Sequence, residues 1–315
     1  MPGIVALTGA TGFVGAATVH HLAQAGWRVR ILTRRMPQAA LMPDHRIDVV
    51  LGDLDDRASL ERLVTGCDAI VHSAGLVRAL TPLEFFRVNE QGTAHLLEAA
   101  ATAAPTARFV HISSLAAREP QLSPYASSKH AAEAKLAALA GARDWIALRP
   151  PAVYGPGDHE LLLLFKAAKL GLLAYPAELG ARVSTIHVED LAAAVVKFCE
   201  NANYSHRIIE LDDEKSGGHD WPEIVRILGQ CFGRQPLAWR LPRPLMTPIA
   251  AAVTLFSNLS GRPQVLSTHK LGELYHPDWV AKGPKLSSMV NWAPRFDLAK
   301  GFADTLRWYR SQSLL

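Results

Sequence analysis

A tyrosine, a lysine and a pair of serines are the residues whose types and spacing first suggest chemistry. Tyr125 and Lys129 stand four positions apart, so a helix would place both side chains on one face, one turn apart. Among the six tyrosines of the chain, Tyr125 alone has a lysine four residues later. Ser113 and Ser114 end a predicted strand just upstream, at the carboxyl edge of a predicted parallel sheet, where open α/β sheets bind ligands.

The phenol of Tyr125 is the candidate acid–base group. An unperturbed tyrosine, with a pKa near ~10, is a poor acid–base group at neutral pH. A neighbouring ammonium such as that of Lys129 favours the phenolate, and lowering the pKa by three units takes roughly 4 kcal/mol of differential interaction. A serine hydroxyl can hydrogen-bond a substrate oxygen that gains or loses charge. The alternative is an exposed tyrosine–lysine pair on a helix beside an ordinary strand end.

A glycine-rich turn near the start of the chain indicates a class of cofactor. Residues Thr8–Gly15 read T-G-A-T-G-F-V-G and follow the apolar run Ile4–Leu7. We expect Gly9 to permit a tight turn, Gly12 to let the backbone approach phosphates, and Gly15 to let the next helix pack closely. The free N–H groups and positive dipole end of that helix would face an anion, so the turn predicts a dinucleotide pyrophosphate site.

The end of the second predicted strand bears on which dinucleotide binds. A carboxylate at this position favours NAD, because it binds the ribose 2′-hydroxyl. This chain has Thr33-Arg34-Arg35 there and no acid until Asp44. Two arginines suit a 2′-phosphate through charge-assisted, bidentate hydrogen bonds. We therefore favour NADP(H), with NAD(H) as the alternative if Arg34 and Arg35 are only solvated loop residues.

Alternating strands and helices would position these residues. We predict strands at 4–7, 28–32, 47–51, 69–72, 108–113, 145–148, 183–188 and 207–211, and helices at 12–25, 89–103, 125–140, 161–173 and 191–199. This order predicts an α/β fold, a Rossmann-type doubly wound parallel sheet covered by helices on both faces. We assign 1–153 and 184–211 to the dinucleotide-binding domain, and 154–183 and 212–315 to a smaller, mostly C-terminal substrate domain.

Composition and charge exclude several classes of protein. Hydrophobic residues make up 49% of the chain and charged residues 20%, as in ordinary globular proteins. The net charge of +4 comes without a long basic run, so we expect no nucleic-acid partner. Cys67, Cys199 and Cys231 are far apart and fit packing residues in a reducing compartment. The N-terminus has no signal-peptide pattern, and together these features favour a cytoplasmic location.

The segment Leu245–Leu259 is the most apolar stretch of the later chain. Pro248 interrupts it, and it is shorter than the ~20 apolar residues that a membrane span needs. We expect a buried or dimer-facing helix here. The alternative is a surface-seeking helix that makes peripheral contact with a membrane.

The motifs, in their order, resemble those of the extended short-chain dehydrogenase/reductases, the NAD-dependent epimerase/dehydratase family. The matching segments run from residue 8 to residue 192: T-G-A-T-G-F-V-G at 8–15, G-D-L at 52–54, V-H-S-A-G at 71–75, V-N at 88–89, H-I-S-S at 111–114, Y-A-S-S-K at 125–129, R-P-P-A-V-Y-G-P-G at 149–157 and I-H-V-E-D-L-A at 186–192. The last segment contains His187, Glu189 and Asp190, and its fit to the family makes a structural role preferable to a metal site.

The resemblance implies a role for each matching residue. Tyr125 would be the acid–base group, and Lys129 would lower its pKa and hold the nicotinamide ribose. Ser114, with Ser113 as second choice, would orient the substrate oxygen, and Asn89 would support the adjacent helix. With Arg34 and Arg35 added, the expected cofactor contacts are Gly9, Thr11, Gly12, Phe13, Val14, Gly15, Arg34, Arg35, Asp53, Leu54, Ser73, Ala74, Gly75, Lys129, Pro150 and Val153.

The C-terminal third bears on the substrate. Its segments L-P-R-P at 241–244 and N-W-A-P at 291–294 resemble the branch of 3β-hydroxysteroid dehydrogenases and dihydroflavonol reductases. That likeness implies an oxidoreductase acting on a carbonyl or hydroxyl group of an apolar small molecule. The alternatives are a nucleotide-sugar epimerase or dehydratase and a non-catalytic cofactor-binding scaffold. The alanine-rich helices predicted at 89–103 and 125–140 have small faces that suit a homodimer.

Overall fold

The computed structural model describes residues 3–38, 46–200, 204–262, 264 and 266–315. Its strands are β1 Ile4–Thr8, β2 Arg28–Thr33, β3 Ile47–Leu51, β4 Ala69–His72, β5 Arg108–Ile112, β6 Trp145–Arg149, β7 Ala152–Tyr154, β8 Leu172–Pro176, β9 Arg182–Val183, β10 Thr185–His187, β11 Arg207–Glu210, β12 His219–Asp220, β13 Leu237–Leu241 and β14 Asp278–Trp279. Its α-helices are α1 Phe13–Gln24, α2 Arg57–Val64, α3 Pro82–Phe85, α4 Gly92–Ala103, α5 Pro124–Leu139, α6 Leu162–Leu170, α7 Val188–Glu200, α8 Trp221–Phe232, α9 Arg243–Ser260, α10 Leu271–Leu274 and α11 Leu298–Ser311.

Within these described ranges, seven strands form one parallel sheet in the order β11-β6-β5-β4-β1-β2-β3. The chain starts at β1, winds outward to β3, returns to β4 and winds outward the other way, which confirms the doubly wound Rossmann-type fold. Since the strands are parallel and in register, the ends of β1, β4 and β5 meet at one edge. Thr8 lies opposite His72, and His72 lies opposite His111.

Apolar side chains cover both faces of this sheet. One buried cluster joins β1, β2, β5 and β6 to α1 and α7, and a second joins the opposite face to α2, α4 and α5. A third cluster lies under α6, α8 and α11 and includes Tyr154, Phe165 and Tyr309. Leu286 and Trp292 pack in the first cluster, so part of the C-terminal third lies against the large sheet.

Several predicted elements differ in detail from those in the structure. The helix predicted at 161–173 ends at Leu170, because Gly171 adopts a left-handed φ of 80° and the chain then forms β8, which pairs with β13. The helix predicted at 89–103 begins as a π-helix at Phe86–Gln91 and continues as α4. The helix α2 has no counterpart among the predicted elements.

The apolar segment 245–259 forms most of α9. In this helix Ala250 and Ser257 are buried, whereas Leu245, Phe256 and Leu259 are exposed. The expectation of a buried helix was therefore wrong, because the face that packs on the protein is narrow and carries small residues. A dimer-facing role stays a prediction. Searching the described residues finds no helix that is both long and apolar enough to cross a bilayer.

Candidate active site

Tyr125 lies in the first turn of α5, at the carboxyl edge of the large sheet. Ser123 caps this helix, since its hydroxyl accepts a hydrogen bond from the backbone N–H of Ala126 at 3.0 Å, and Pro124 occupies the first helical position. The Tyr125 ring packs edge-to-face on Phe85, with ring centroids 6.0 Å apart. Its hydroxyl is hydrogen-bonded to the side chain of Ser114.

The environment of Tyr125 favours the protonated phenol. Burial raises the pKa of Tyr125 to about 12, the hydrogen bond to Ser114 opposes this rise, and the carboxylate of Glu273 adds to it. We expected Lys129 to lower this pKa, but in this structure the pKa moves in the opposite direction. The reason is that burial of the phenol outweighs the interactions that favour the phenolate.

Lys129 is buried one turn further along α5. Its ammonium donates to the backbone carbonyl of Ile112, at the end of β5, at 2.7 Å. Burial lowers the pKa of Lys129 to about 8, and the carboxylate of Glu133 opposes that shift. A Cβ added at Gly75 would lie 3.8 Å from the Lys129 Nζ, so the ammonium faces the loop that follows β4.

Asn89 connects that loop to α5. Its Oδ1 accepts from the N–H of Leu76 at 2.7 Å, and its Nδ2 donates to the Leu76 carbonyl at 3.0 Å and to Ser128 Oγ at 2.9 Å. The side chain sits in the π-helix, a local widening that is frequent at functional sites. Asn89 thus holds the loop next to the helix that carries Tyr125.

The two serines after β5 point to different surroundings. Ser113 is buried and donates to Glu133 Oε1 at 2.5 Å, and Glu133 also forms a bidentate ion pair with Arg149. Ser114 caps the short 3₁₀-helix Leu115–Arg118 and contacts Tyr125. Successive residues of an extended chain face opposite sides, which separates the two hydroxyls. The geometry therefore favours Ser114 over Ser113 as the partner of Tyr125.

The glycine-rich turn has the shape that a pyrophosphate site requires. Gly9 adopts a φ of 80°, and a Cβ there would lie 2.5 Å from the backbone nitrogen of Ala74. A Cβ at Gly15 would overlap the Gly9 carbonyl, whereas one at Gly12 would lie 3.3 Å from that oxygen. Gly12 and Thr11 are exposed at the start of α1. The turn thus leaves the helix N-terminus open to an anion, and a dinucleotide fits the residues present.

The other expected cofactor contacts lie on several separate elements. The N–H of Ser73 donates to the Thr8 carbonyl and that of Ala74 to the Thr8 hydroxyl. Asp53 accepts from the N–H of Asp55 in the loop after β3. Leu54 packs on Gly92, and Phe13 would lie 3.3 Å from a Cβ added at Gly157. Val14 packs against the core below α1. The carbonyl of Pro150 accepts from the N–H of Leu115, and Val153 pairs with Ile186 in the strand pair β7–β10.

Arg34 and Arg35 directly follow β2. Both side chains are exposed, and across the described ranges neither makes an ion pair or a side-chain hydrogen bond. Strand β2 is the neighbour of β1 in the sheet, so these guanidinium groups belong to the edge that also carries the glycine-rich turn. Asp44, the first acid after the two arginines, lies outside the described residues.

Two residues beside Tyr125 were not found from the sequence. Lys270 places its Nζ 5.1 Å from the centre of the Tyr125 ring and forms an ion pair with Glu273. Glu273 is buried and accepts a hydrogen bond from the hydroxyl of Ser123, the residue that caps α5. The two residues lie far from Tyr125 in the chain, and no local motif marks them.

The other candidate clusters have structural explanations. His187 stacks on Phe296 with ring centroids 3.8 Å apart, Glu189 binds His21 at 2.7 Å, and Asp190 accepts from backbone N–H groups of Arg295 and Phe296. These three side chains therefore diverge. No group of three or more potential metal ligands occurs in the part of the chain that is described. Burial raises the pKa of all three cysteine thiols, as expected of packing residues.

The chain is similar in sequence to two proteins that are named as reductases. The chain is 42% identical to the ceramide reductase of Caulobacter vibrioides (strain NA1000 / CB15N) over 314 residues, which cover 99% of this chain and 96% of that protein. It is 30% identical to a putative dihydroflavonol 4-reductase of Synechocystis sp. (strain ATCC 27184 / PCC 6803 / Kazusa), over 59% of this chain and 60% of that protein.

Among solved structures, MoeE5 in complex with UDP-glucose and NAD superposes with a TM-score of 0.73 at 22% identity, over 99% of this chain and 100% of that one. This likeness supports the fold. The model of the NAD dependent epimerase/dehydratase family matches residues 5–211, which include the glycine-rich turn, Ser114, Tyr125 and Lys129. The chain therefore belongs to the NAD dependent epimerase/dehydratase family, whose members are NAD(P)-dependent enzymes.

Proposed function

We propose that this protein is an NADP(H)-dependent oxidoreductase that interconverts a carbonyl and a hydroxyl group on an apolar small molecule. The observation that carries this proposal is the contact between Ser114 and Tyr125, with Lys129 on the same helix, at the sheet edge that also holds the glycine-rich turn. An oxidoreductase needs these groups together, because a hydride and a proton must reach adjacent atoms of one substrate.

Each side chain then has a defined task. The Ser114 hydroxyl donates a hydrogen bond to the substrate carbonyl oxygen and orients it towards Tyr125. Tyr125 donates its proton to that oxygen as negative charge develops there. When bound, NADPH would supply a hydride for the carbonyl carbon. The raised pKa of Tyr125 keeps the phenol protonated at neutral pH, which suits the reducing direction. Lys129, held by the Ile112 carbonyl, faces the loop at Gly75 and would hold the nicotinamide ribose.

The preference for NADP(H) rests on Arg34 and Arg35. Both guanidinium groups are exposed beside the glycine-rich turn and have no partner among the described side chains. A 2′-phosphate would give each of them a charge-assisted partner, whereas a 2′-hydroxyl would not.

The substrate class is inferred from the relatives and from the distribution of basic residues. One relative that matches along nearly the whole chain, at 42% identity, is named for the reduction of ceramide, a lipid. A nucleotide sugar would need basic groups for its diphosphate, and the basic residues of the C-terminal third are dispersed. The alternative of a nucleotide-sugar epimerase or dehydratase is favoured by the 26% identity to the UDP-glucose 4-epimerase of Vibrio cholerae, over 97% of this chain and 95% of that protein.

A direct comparison of substrates tests the proposal. The full-length protein would be incubated with NADPH and either a ketone analogue of ceramide or a short apolar ketone, and in a separate reaction with NAD+ and UDP-glucose. We expect NADPH to be consumed with the ketones and no epimer to form from UDP-glucose. Epimerisation of UDP-glucose without net consumption of the cofactor would establish the alternative instead.

We also propose that the protein forms a homodimer through α4 and α5. The outward face of α5 carries small side chains, with Ala134, Ala137 and Ala138 exposed, so a second helix can approach closely. Light scattering of the purified protein tests this directly, and a monomeric mass would refute it.

A further inference from the structure

The exposed face of α9 carries an apolar stripe. Leu245, Ile249, Phe256 and Leu259 are 59%, 48%, 61% and 79% exposed. Their spacing of three, four or seven residues places them on one side of the helix, together with Ala252. Large apolar side chains occur singly on most protein surfaces, but a contiguous row of them marks a contact with another apolar phase.

The opposite side of the same helix is fixed to the protein. Met246, Ala250 and Val253 face inward, and Ala250 packs with Leu271 and Tyr275. The Tyr275 hydroxyl donates to the Leu241 carbonyl at 2.8 Å, just before the helix begins. Helix α9 is therefore held along the surface, with its apolar stripe facing outward over its length.

The sequence around the stripe carries an excess of positive charge. From Trp239 to Gly272 the sequence contains Arg240, Arg243, Arg262 and Lys270 and no aspartate or glutamate. Lys270 pairs with Glu273, whereas the three arginines are exposed and form no ion pair with any described residue. Burial and the carboxylate of Glu178 raise the pKa of Tyr275, and the guanidinium groups of Arg240 and Arg243 oppose that rise. The surface thus combines apolar side chains with an excess of cations.

We propose that α9 and its flanking arginines form a docking surface for a lipid bilayer with anionic headgroups. Helices that lie in the membrane interface bury one apolar face at the level of the acyl chains and place cations near the lipid phosphates. The long arginine side chains at both ends of α9 can reach those phosphates while the stripe enters the bilayer.

A second copy of the chain fits this surface less well. A two-fold contact would bring the same patch together from both protomers, so Arg243 and Arg262 of one copy would face the same arginines of the other. Like charges across such a contact are unfavourable, whereas an anionic bilayer complements them.

Docking here would also bring the bilayer next to the proposed active site. A cavity of about 660 Å³ is lined by Arg243 at the start of α9, by Tyr275, and by Ser123 and Pro124 directly before Tyr125. This consequence rests on the proposed function, whereas the docking itself does not.

Vesicle co-flotation of the full-length protein tests the proposal. The probes are phosphatidylcholine vesicles and vesicles in which a third of the lipid is phosphatidylglycerol. We expect binding to the anionic vesicles at least about tenfold stronger than to the neutral ones, and weakened by salt. Ile249→Glu/Phe256→Glu should abolish binding, and Arg243→Gln/Arg262→Gln should weaken it about tenfold or more. The matched control is Ile208→Glu, an exposed apolar residue on the edge strand β11, which should bind like the wild type.

A spectroscopic variant guards against misfolding of the charged variants. In Phe256→Trp the emission of the new tryptophan should shift to the blue on addition of anionic vesicles. Equal flotation with both kinds of vesicle, no flotation at all, or wild-type binding by Ile249→Glu/Phe256→Glu would overturn the proposal. Two results together would show that the surface is an interface between copies of the chain. The wild-type protein would not bind either kind of vesicle, and light scattering would show a dimer for the wild type and a monomer for Ile249→Glu/Phe256→Glu.

Discussion

The protonation state of Tyr125 depends on residues from three separate parts of the chain. Ser114 reaches it from the end of β5, Phe85 packs on it from α3, and Lys270 and Glu273 approach it from the C-terminal third. Burial and the Glu273 carboxylate raise the pKa of Tyr125, and the Ser114 hydroxyl opposes them. The pKa of Tyr125, the proposed acid–base group, is thus affected by side chains beyond the tyrosine–lysine motif itself.

Replacing Glu273 should shift the pH dependence of the reaction. Glu273→Gln removes a carboxylate that raises the pKa of Tyr125 and leaves the Lys270 cation unpaired over the ring, so both changes favour the phenolate. Because reduction needs the protonated phenol, its alkaline limb should move to lower pH, by about one unit. The pH profile of kcat for ketone reduction measures this.

The glutamine in this variant can still accept the hydrogen bond from Ser123, so the helix cap is preserved. Asp278→Asn is the control, because this carboxylate lies in the same part of the chain and pairs with Lys282 instead. An alkaline limb that stays in place, or moves to higher pH, would show that Glu273 does not tune Tyr125.

The two arginines after β2 should decide the choice of cofactor. In Arg34→Ala/Arg35→Ala the affinity for NADPH should fall by about 10- to 100-fold, because hydrogen bonds to a charged group contribute roughly 1.5–3 kcal/mol. The affinity for NADH should change little. Fluorescence titration of both cofactors measures this, with Arg307→Ala as the control, since Arg307 is an exposed arginine on α11. Equal losses for both cofactors would contradict a 2′-phosphate site.

At the scale of elements, two glycines of the glycine-rich turn should have different roles, Gly15 in folding and Gly12 in cofactor binding. A Cβ at Gly15 would overlap the Gly9 carbonyl, so Gly15→Ala should destabilise the fold by about 1–3 kcal/mol and impair cofactor binding. A Cβ at Gly12 would lie 3.3 Å from the same oxygen and face outward, so Gly12→Ala should keep the fold and weaken cofactor binding. Thermal unfolding without cofactor and fluorescence titration distinguish the two. Equal melting temperatures for both variants would refute the assigned roles.

Local sequence patterns predict the elements that carry the proposed cofactor site. The apolar run at β1, the glycines after it and the four-residue spacing of Tyr125 and Lys129 are all contained in short stretches of sequence, and the structure has β1, α1 and α5 where they indicate. The pairing of Lys270 with Glu273 beside Tyr125 could not be predicted this way. It depends on how the C-terminal third folds back on the cap of α5, where Gly272 packs directly on the Leu122 carbonyl.

At the scale of the whole molecule, Asp190 connects the C-terminal chain to α7, the helix that packs on the large sheet. It is buried at the start of α7 and accepts from the N–H of Arg295 at 3.1 Å and that of Phe296 at 3.0 Å. Asp190→Ala leaves these donors without their partner, so we expect the free energy of unfolding to fall by about 2–4 kcal/mol. Asp297→Ala, which removes an exposed cap of α11, should cost only about 1 kcal/mol in the same urea experiment. Similar losses for both would contradict this role.

In the function we propose, Tyr125 transfers the proton in an NADP(H)-dependent reduction. The most direct test of this step is the rate of NADPH oxidation by the wild type and by Tyr125→Phe, with the best ketone substrate and with cofactor affinity measured in parallel. Phenylalanine keeps the ring that packs on Phe85 and removes only the hydroxyl. We predict that kcat falls by at least about a hundredfold while the affinity for NADPH is preserved. A kcat that stays close to that of the wild type would contradict the account and favour a cofactor-binding protein without this chemistry.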